Sequence, residues 1–156
     1  MAIKLNISLS EQSLTADDKK ANVSRVKVTI KCTTSYGEYA AAKHSGSCSY
    51  SGCDSGSFSY SHSIGKNTTT TLYSGTKTIK KKADGTGSVT FKSTFKGVGH
   101  NCSDSASKTL TPTPKHTLKY DANGGTGAPS GGSYLYGKVV TLSTTGPTRT
   151  GYTFNG

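Results

Sequence analysis

The sequence predicts an all-β protein, and three observations carry the prediction. Only 31% of its 156 residues are hydrophobic, with 19 Gly, no Trp and one Met, the composition of a chain with thin cores and many turns. Apolar side chains recur at every second position, beginning with Ile3, Leu5, Ile7 and Leu9 against Lys4, Asn6, Ser8 and Ser10. Helical periodicity is nearly absent: only residues 10 to 21, with Glu11, Asp17, Asp18 and two lysines, suit a short helical turn, and they lack an apolar stripe.

The elements follow in order. Val26, Val28, Ile30 and Cys32 share one strand face, while Arg25, Lys27, Thr29 and Lys31 take the other. Phe58, Tyr60, His62 and Ile64 repeat the pattern with serines opposite, which makes His62 a partly buried strand residue. Residues 72–82 and 88–96 flank Ala83-Asp84-Gly85-Thr86-Gly87, whose Asp-Gly pair predicts a hairpin turn. Val89, Phe91 and Phe95 then face inward, with Thr90, Lys92, Thr94 and Lys96 outward. A last strand over 105–111 ends at Pro112 and Pro114, which cannot donate to a ladder. About seven short strands with frequent turns fit an immunoglobulin-like β-sandwich over residues 1–113. Pro112 to Lys115 reads as a linker, and residues 114–156 as a second, small β-unit.

Two resemblances extend this reading. The run Tyr120-Asp121-Ala122-Asn123-Gly124-Gly125-Thr126-Gly127-Ala128-Pro129, answered by Gly146-Pro147-Thr148-Arg149-Thr150-Gly151-Tyr152-Thr153-Phe154-Asn155-Gly156, resembles the internalin-type B-repeat, or Listeria and Bacteroides repeat. That resemblance implies a small β-grasp module of the kind found on bacterial surface proteins and in phage tails. The family continues from the final Phe-x-Gly into Trp and further strands, whereas this sequence stops at Gly156, so the repeat is expected to be incomplete or cut. In the first block, Thr70-Thr71-Leu72-Tyr73, Thr76-Lys77-Thr78-Ile79, Ala83 to Phe91 and Ser107-Lys108-Thr109-Leu110-Thr111 resemble the immunoglobulin-like domain of siphophage minor structural proteins. The four cysteines and residues 45–57 depart from that group.

The formal charge of +11 comes from 19 basic against 8 acidic residues, with Arg only at 25 and 149. Guanine and phosphate readers favour the planar Arg fork, so a Lys-dominated surface points to diffuse attraction to a polyanion. Lys77, Lys80, Lys81 and Lys82 are the candidate contact, for teichoic acid, lipopolysaccharide or nucleic acid; the plainer reading is a strand edge protected by lysines. Cys32, Cys48, Cys53 and Cys102 form an even set, open to free structural thiols, to disulfides in three connectivities, or to zinc. No metal is favoured; Cys48, Cys53, His100 and Cys102 are the first ligands to test if one binds.

No catalytic constellation emerges. Glu occurs only at 11 and 38, so no acid pair suits glycoside hydrolysis, and His62 lacks an orienting acid and a nucleophile elbow. Asp121 to Gly125 lacks the oxygen ligands of a calcium loop and reads as a turn. No cofactor is expected. No apolar run suits an export signal or the roughly 20 residues of a membrane helix. A surface-type module without such a signal points to a phage particle released by lysis, although a removed signal peptide or a cloned fragment explains the same observation.

The expectation is therefore a non-enzymatic virion structural protein of the tail or its host-contact end, assembled in the host cytoplasm. Its expected partners are other virion proteins, further copies of itself and bacterial cell-wall polysaccharide or another polyanion. A bacterial cell-surface or secreted adhesin is the alternative, and a capsid decoration protein a weaker one.

Overall fold

A computed structural model of the chain describes residues 2–35, 43–97, 100–153 and 155. Its elements are β1 (Ala2–Glu11), α1 (Ala16–Ala21), β2 (Val23–Ser35), β3 (His44–Gly52), β4 (Gly56–His62), β5 (Thr69–Lys80), β6 (Ser88–Gly97), β7 (His100–Thr109), β8 (Lys115–Leu118) and β9 (Gly132–Leu135). Among the described residues the chain is all-β apart from one short helix, and every strand pair is antiparallel. It divides into two compact units, Met1–Pro112 and Thr113–Gly156.

In the first unit, one sheet has the order β1-β2-β5 and the other β4-β3-β6-β7. Alternation fixes their inner faces. On β2 the side chains of Ser24, Val26, Val28, Ile30, Cys32 and Thr34 are all buried. They meet Val89, Phe91, Ser93 and Phe95 of β6 in a core that also holds Leu5, Ile7, Cys48, Tyr60, Ile64, Leu72, Ile79 and Leu110. Both sheets contribute to one apolar interior, the arrangement that lets each strand keep a wet outer face.

Two local devices shape the first sheet. The register between β2 and β5 shifts at Ile30/Lys31, because Ile30 faces Tyr73 and Lys31 faces Thr71, leaving Leu72 as an extra residue. Leu72 is buried before the shift; Tyr73, Gly75, Lys77 and Ile79 then take the inward phase. The helix α1 has no apolar stripe and forms through its caps. Thr15 and Asp18 make a reciprocal capping box, Asn22 closes the end in the left-handed region, and Asp18 holds Arg25 of β2 at 3.0 Å.

Several expectations need correction. The Asp84-Gly85 turn forms, with Gly85 at φ 85° and Thr86 N donating to Asp84 Oδ1 at 2.9 Å, but it is no hairpin. It joins β5 of one sheet to β6 of the other, and Lys81 N donating to Asn22 O at 3.0 Å holds the chain to the first sheet until it crosses. The last strand begins at His100 and ends at Thr109, earlier than its polar sequence suggested, because β6 pairs with it along its whole length. Lys115 belongs to β8 rather than to a linker. Within residues 45–57, an additional strand, β3, lies between β4 and β6.

The second unit holds a two-stranded ribbon of β8 and β9 and an isolated bridge between Thr126 and Thr148. Residues 121–125 form the expected turn, with Asn123 and Gly124 at positive φ and Gly125 N donating to Ala122 O at 2.9 Å. Phe154 and Gly156 lie outside the described residues. Among the described residues no helix is long and apolar enough to cross a membrane.

Candidate functional site at the lysine margin

The two long margins of the first unit are built differently. On one, β1 and β7 are tied by carboxylates: Ile7 N donates to Asp104 Oδ2 at 2.7 Å, and Thr111 N donates to Glu11 Oε2 at 2.9 Å. The other margin is formed by β4 and β5, the edge strands of their sheets. There the inward phase after the bulge sets Tyr73 against Phe58, ring centroids 4.4 Å apart. Lys77 lies on the same face, and its ammonium sits 4.2 Å from the Phe58 centroid and 5.8 Å from that of Tyr73. A cation over an aromatic pair gains from the ring quadrupoles, and an inward-pointing lysine on an edge strand blocks pairing with a foreign strand.

The four candidate lysines do not form one surface. Lys80 and Lys82 are exposed, and the Lys80 backbone N–H donates to Asp54 Oδ2 at 2.9 Å. Lys81 is only 7% exposed, because it continues the inward alternation of Ile79. Burial pushes its ammonium below the ordinary lysine value, opposed by the nearby negative charges of Glu11 and Asp18. Burial alone would raise the Glu11 carboxyl; hydrogen bonds from Ser24 and Thr111, with Lys81 nearby, bring it below its ordinary value instead. Hydrogen bonds from Thr15 backbone and side chain, and then Arg25, likewise lower Asp18. Lys81 is thus part of the packing between β1, α1 and the interlayer turn, and the available cationic heads are Lys80, Lys82 and the stacked Lys77.

The thiols are all free: Cys32 and Cys48 are buried, Cys53 and Cys102 half-buried. The candidate metal set is not assembled, since among the described residues no three His, Cys, Asp or Glu side chains converge, and the side chain of His100 lies outside them. Cys102 instead donates to Phe95 O at 3.7 Å with Cys32 nearby, while Cys53 packs where a Cβ on Gly87 would stand. His62 is exposed at the end of β4, with Nδ1 2.7 Å from Ser63 O, which corrects its expected partial burial. Among the described residues the buried histidine is its register partner His44, packed edge-on against Phe95 at 6.1 Å. The shared periodicity of Phe58 and Tyr60 with His62 gave the face but not the point where the neighbouring layer stops.

In the second unit, a cleft of about 230 Å³ is lined by Asp121, Asn123, Pro147, Arg149 and Tyr152 among others. Arg149 is engaged in it already: Nη1 donates to Asn123 O at 3.2 Å, and the guanidinium lies 4.3 Å from the Tyr152 ring centroid. The Arg therefore staples the 121–125 turn to the 146–152 segment. A scan against models of protein families matches none, and searches of curated proteins and of solved structures also find no match.

Proposed function

We propose that the first unit is an immunoglobulin-like sandwich, the second an internalin-type repeat, and the chain a non-enzymatic phage virion protein of the tail or its host-contact end. The observation that carries the reading is the strand order. The set β1-β2-β5 opposite β4-β3-β6-β7 suits an immunoglobulin-like sandwich in which the strand after the third returns beside it. That order agrees with the resemblance of residues 70–111 to tail-protein domains, and the 121–125 turn agrees with the repeat motif. Both agreements concern modules, and a module does not fix a ligand.

The surface chemistry favours a polyanionic partner such as cell-wall polysaccharide, reached through Lys80 and Lys82 with Lys77 beside them. The formal charge of +11 supplies the long-range attraction. As part of the same proposal, the protein assembles with other virion proteins and with further copies of itself.

Mass spectrometry of purified virions tests the assignment directly: the protein should be recovered in tail fractions. Recovery from bacterial envelopes and not from virions would favour a surface adhesin, and recovery at capsid stoichiometry a decoration protein. For the contact, a Lys77→Ser, Lys80→Ser, Lys82→Ser variant should lose envelope binding while remaining folded. Added salt should weaken binding of the unaltered protein, because exposed charges are screened over roughly 8 Å at physiological ionic strength. Lys81 is left in place because its removal would disturb the core.

A further inference from the structure

We propose that Cys32 and Cys102 are a cross-sheet disulfide site, closed by a small-molecule disulfide oxidant and joining β2 of one sheet to β7 of the other. Strand register brings them together. Leu5 is the partner of Cys32 across the β1–β2 pair, and Ile7, two residues further along β1, receives the carboxylate of Asp104. Glu11 meets Thr111 further along, so β7 runs beside β1 in the same direction. Cys102 lies two residues before Asp104 on the same face of β7, which puts it level with Leu5 and hence with Cys32. At that level the Cys102 thiol donates to Phe95 O at 3.7 Å and lies close enough to Cys32 for the two thiols to perturb each other.

The pair closest in sequence, Cys48 and Cys53, is less well placed. Cys48 and Gly52 are ends of one extended stretch of β3, about 13 Å apart at roughly 3.3 Å per residue, and Cys53 follows Gly52. A disulfide needs Cα atoms within about 7 Å, so the close spacing of Cys48 and Cys53 in sequence does not make them a pair.

The chemistry is two successive thiol–disulfide exchanges. Cys102, the more exposed thiol, loses its proton and attacks one sulfur of oxidised glutathione, breaking that S–S bond and releasing one glutathione thiolate, which takes up the proton. Cys32 then loses its proton and attacks the Cys102 sulfur of the mixed disulfide, forming the protein S–S bond and releasing the second glutathione. Two protein thiols are oxidised by two electrons, and one glutathione disulfide is reduced to two thiols. Burial, and then the neighbouring Cys102, push the Cys32 thiol up to about 11, so the second exchange is the slow one.

The test is to incubate the full chain, folded and reduced, with oxidised glutathione and to follow intact mass, non-reducing peptide maps and thermal unfolding. The expected result is a loss of two hydrogens, a peptide link between Cys32 and Cys102, and a Tm rise on the order of 10 °C or more, reversed by reductant. Such a rise is what closing a loop of about 70 residues gives in a domain of this size. A Cys53→Ser variant should oxidise in the same way, and Cys102→Ser should not. An unchanged mass, a glutathione adduct at Cys102 that never resolves, or a link to Cys48 or Cys53 overturns the assignment.

Discussion

The two units obey the same turn chemistry and differ in what their strands find to pack against. Asp84 caps the interlayer turn through Thr86 N at 2.9 Å, and Asp121 caps the second-unit turn through Asn123 N at 2.8 Å. Yet the core of the first unit draws on all seven of its strands, whereas Thr113 is the sole buried residue among those described in the second. Among the described residues the large exposed hydrophobics, Val139, Leu142 and Tyr152, all belong to the second unit. A two-stranded ribbon such as β8–β9 is marginal in water without a further layer. Turns place a chain; burial between layers is what makes the placement cooperative.

The comparison can be broken or sharpened by substitution. Phe91 is fully buried and stacks on Tyr50 at 5.0 Å, so Phe91→Ala should destabilise the first unit by about 3–5 kcal/mol in denaturant unfolding. A loss under about 1 kcal/mol would mean that the layered core is not the source of stability. Next comes Ser93, which donates to Ser47 O at 2.9 Å and shares a 2.8 Å hydrogen bond with the Tyr60 hydroxyl. Ser93→Ala leaves that buried Tyr60 hydroxyl with only its long 3.4 Å contact to Thr94 O and should cost about 1–3 kcal/mol, with Tyr60→Phe in the same background restoring part of the loss.

A smaller effect is expected from pH. The folded Glu11 carboxyl lies below the ordinary glutamate value that it has in the unfolded chain, so its contribution is fully present above that ordinary value. As pH falls through the lowered folded value, the contribution is lost. Unfolding midpoints measured down the carboxylate range should therefore decline less in Glu11→Gln than in the parent chain; equal declines would remove Glu11 from the acid limb. The smallest change should come from Leu142→Ser in the second unit, within about 0.5 kcal/mol, because the side chain is 61% exposed. A larger loss would show that this unit has a core of its own.

The sequence displayed the inner faces of β2 and β6 clearly, because large apolar residues alternate there with Lys and Thr. It concealed β3, whose inward positions include Gly46 and Cys48 between serines. Gly46 is small for a reason that only the fold reveals: the Tyr60 ring fills the space its Cβ would take. The Asp-Gly turn was legible as a turn but not as a crossing between sheets, since local backbone preference carries no information about which strand is met afterwards. At the candidate site, the lysine run looked uniformly solvated. Counting by twos from Ile79 would have sent Lys81 inward, a signal present in the sequence and outweighed by residue type. The meeting of Cys32 and Cys102 depends on β1 lying beside both strands, and no spacing along the chain encodes that.

The carboxylate ties between β1 and β7 also give the first unit a direction. Because these terminal strands run side by side in the same sense, tension applied at Ala2 and Pro112 pulls them along their length in opposite directions. The Ile7–Asp104 and Thr111–Glu11 contacts would then be strained together, as in shear, rather than opened one after another as in a zipper. Resistance to stretching would be set by the rate of crossing that shared barrier, independently of the equilibrium stability of the fold.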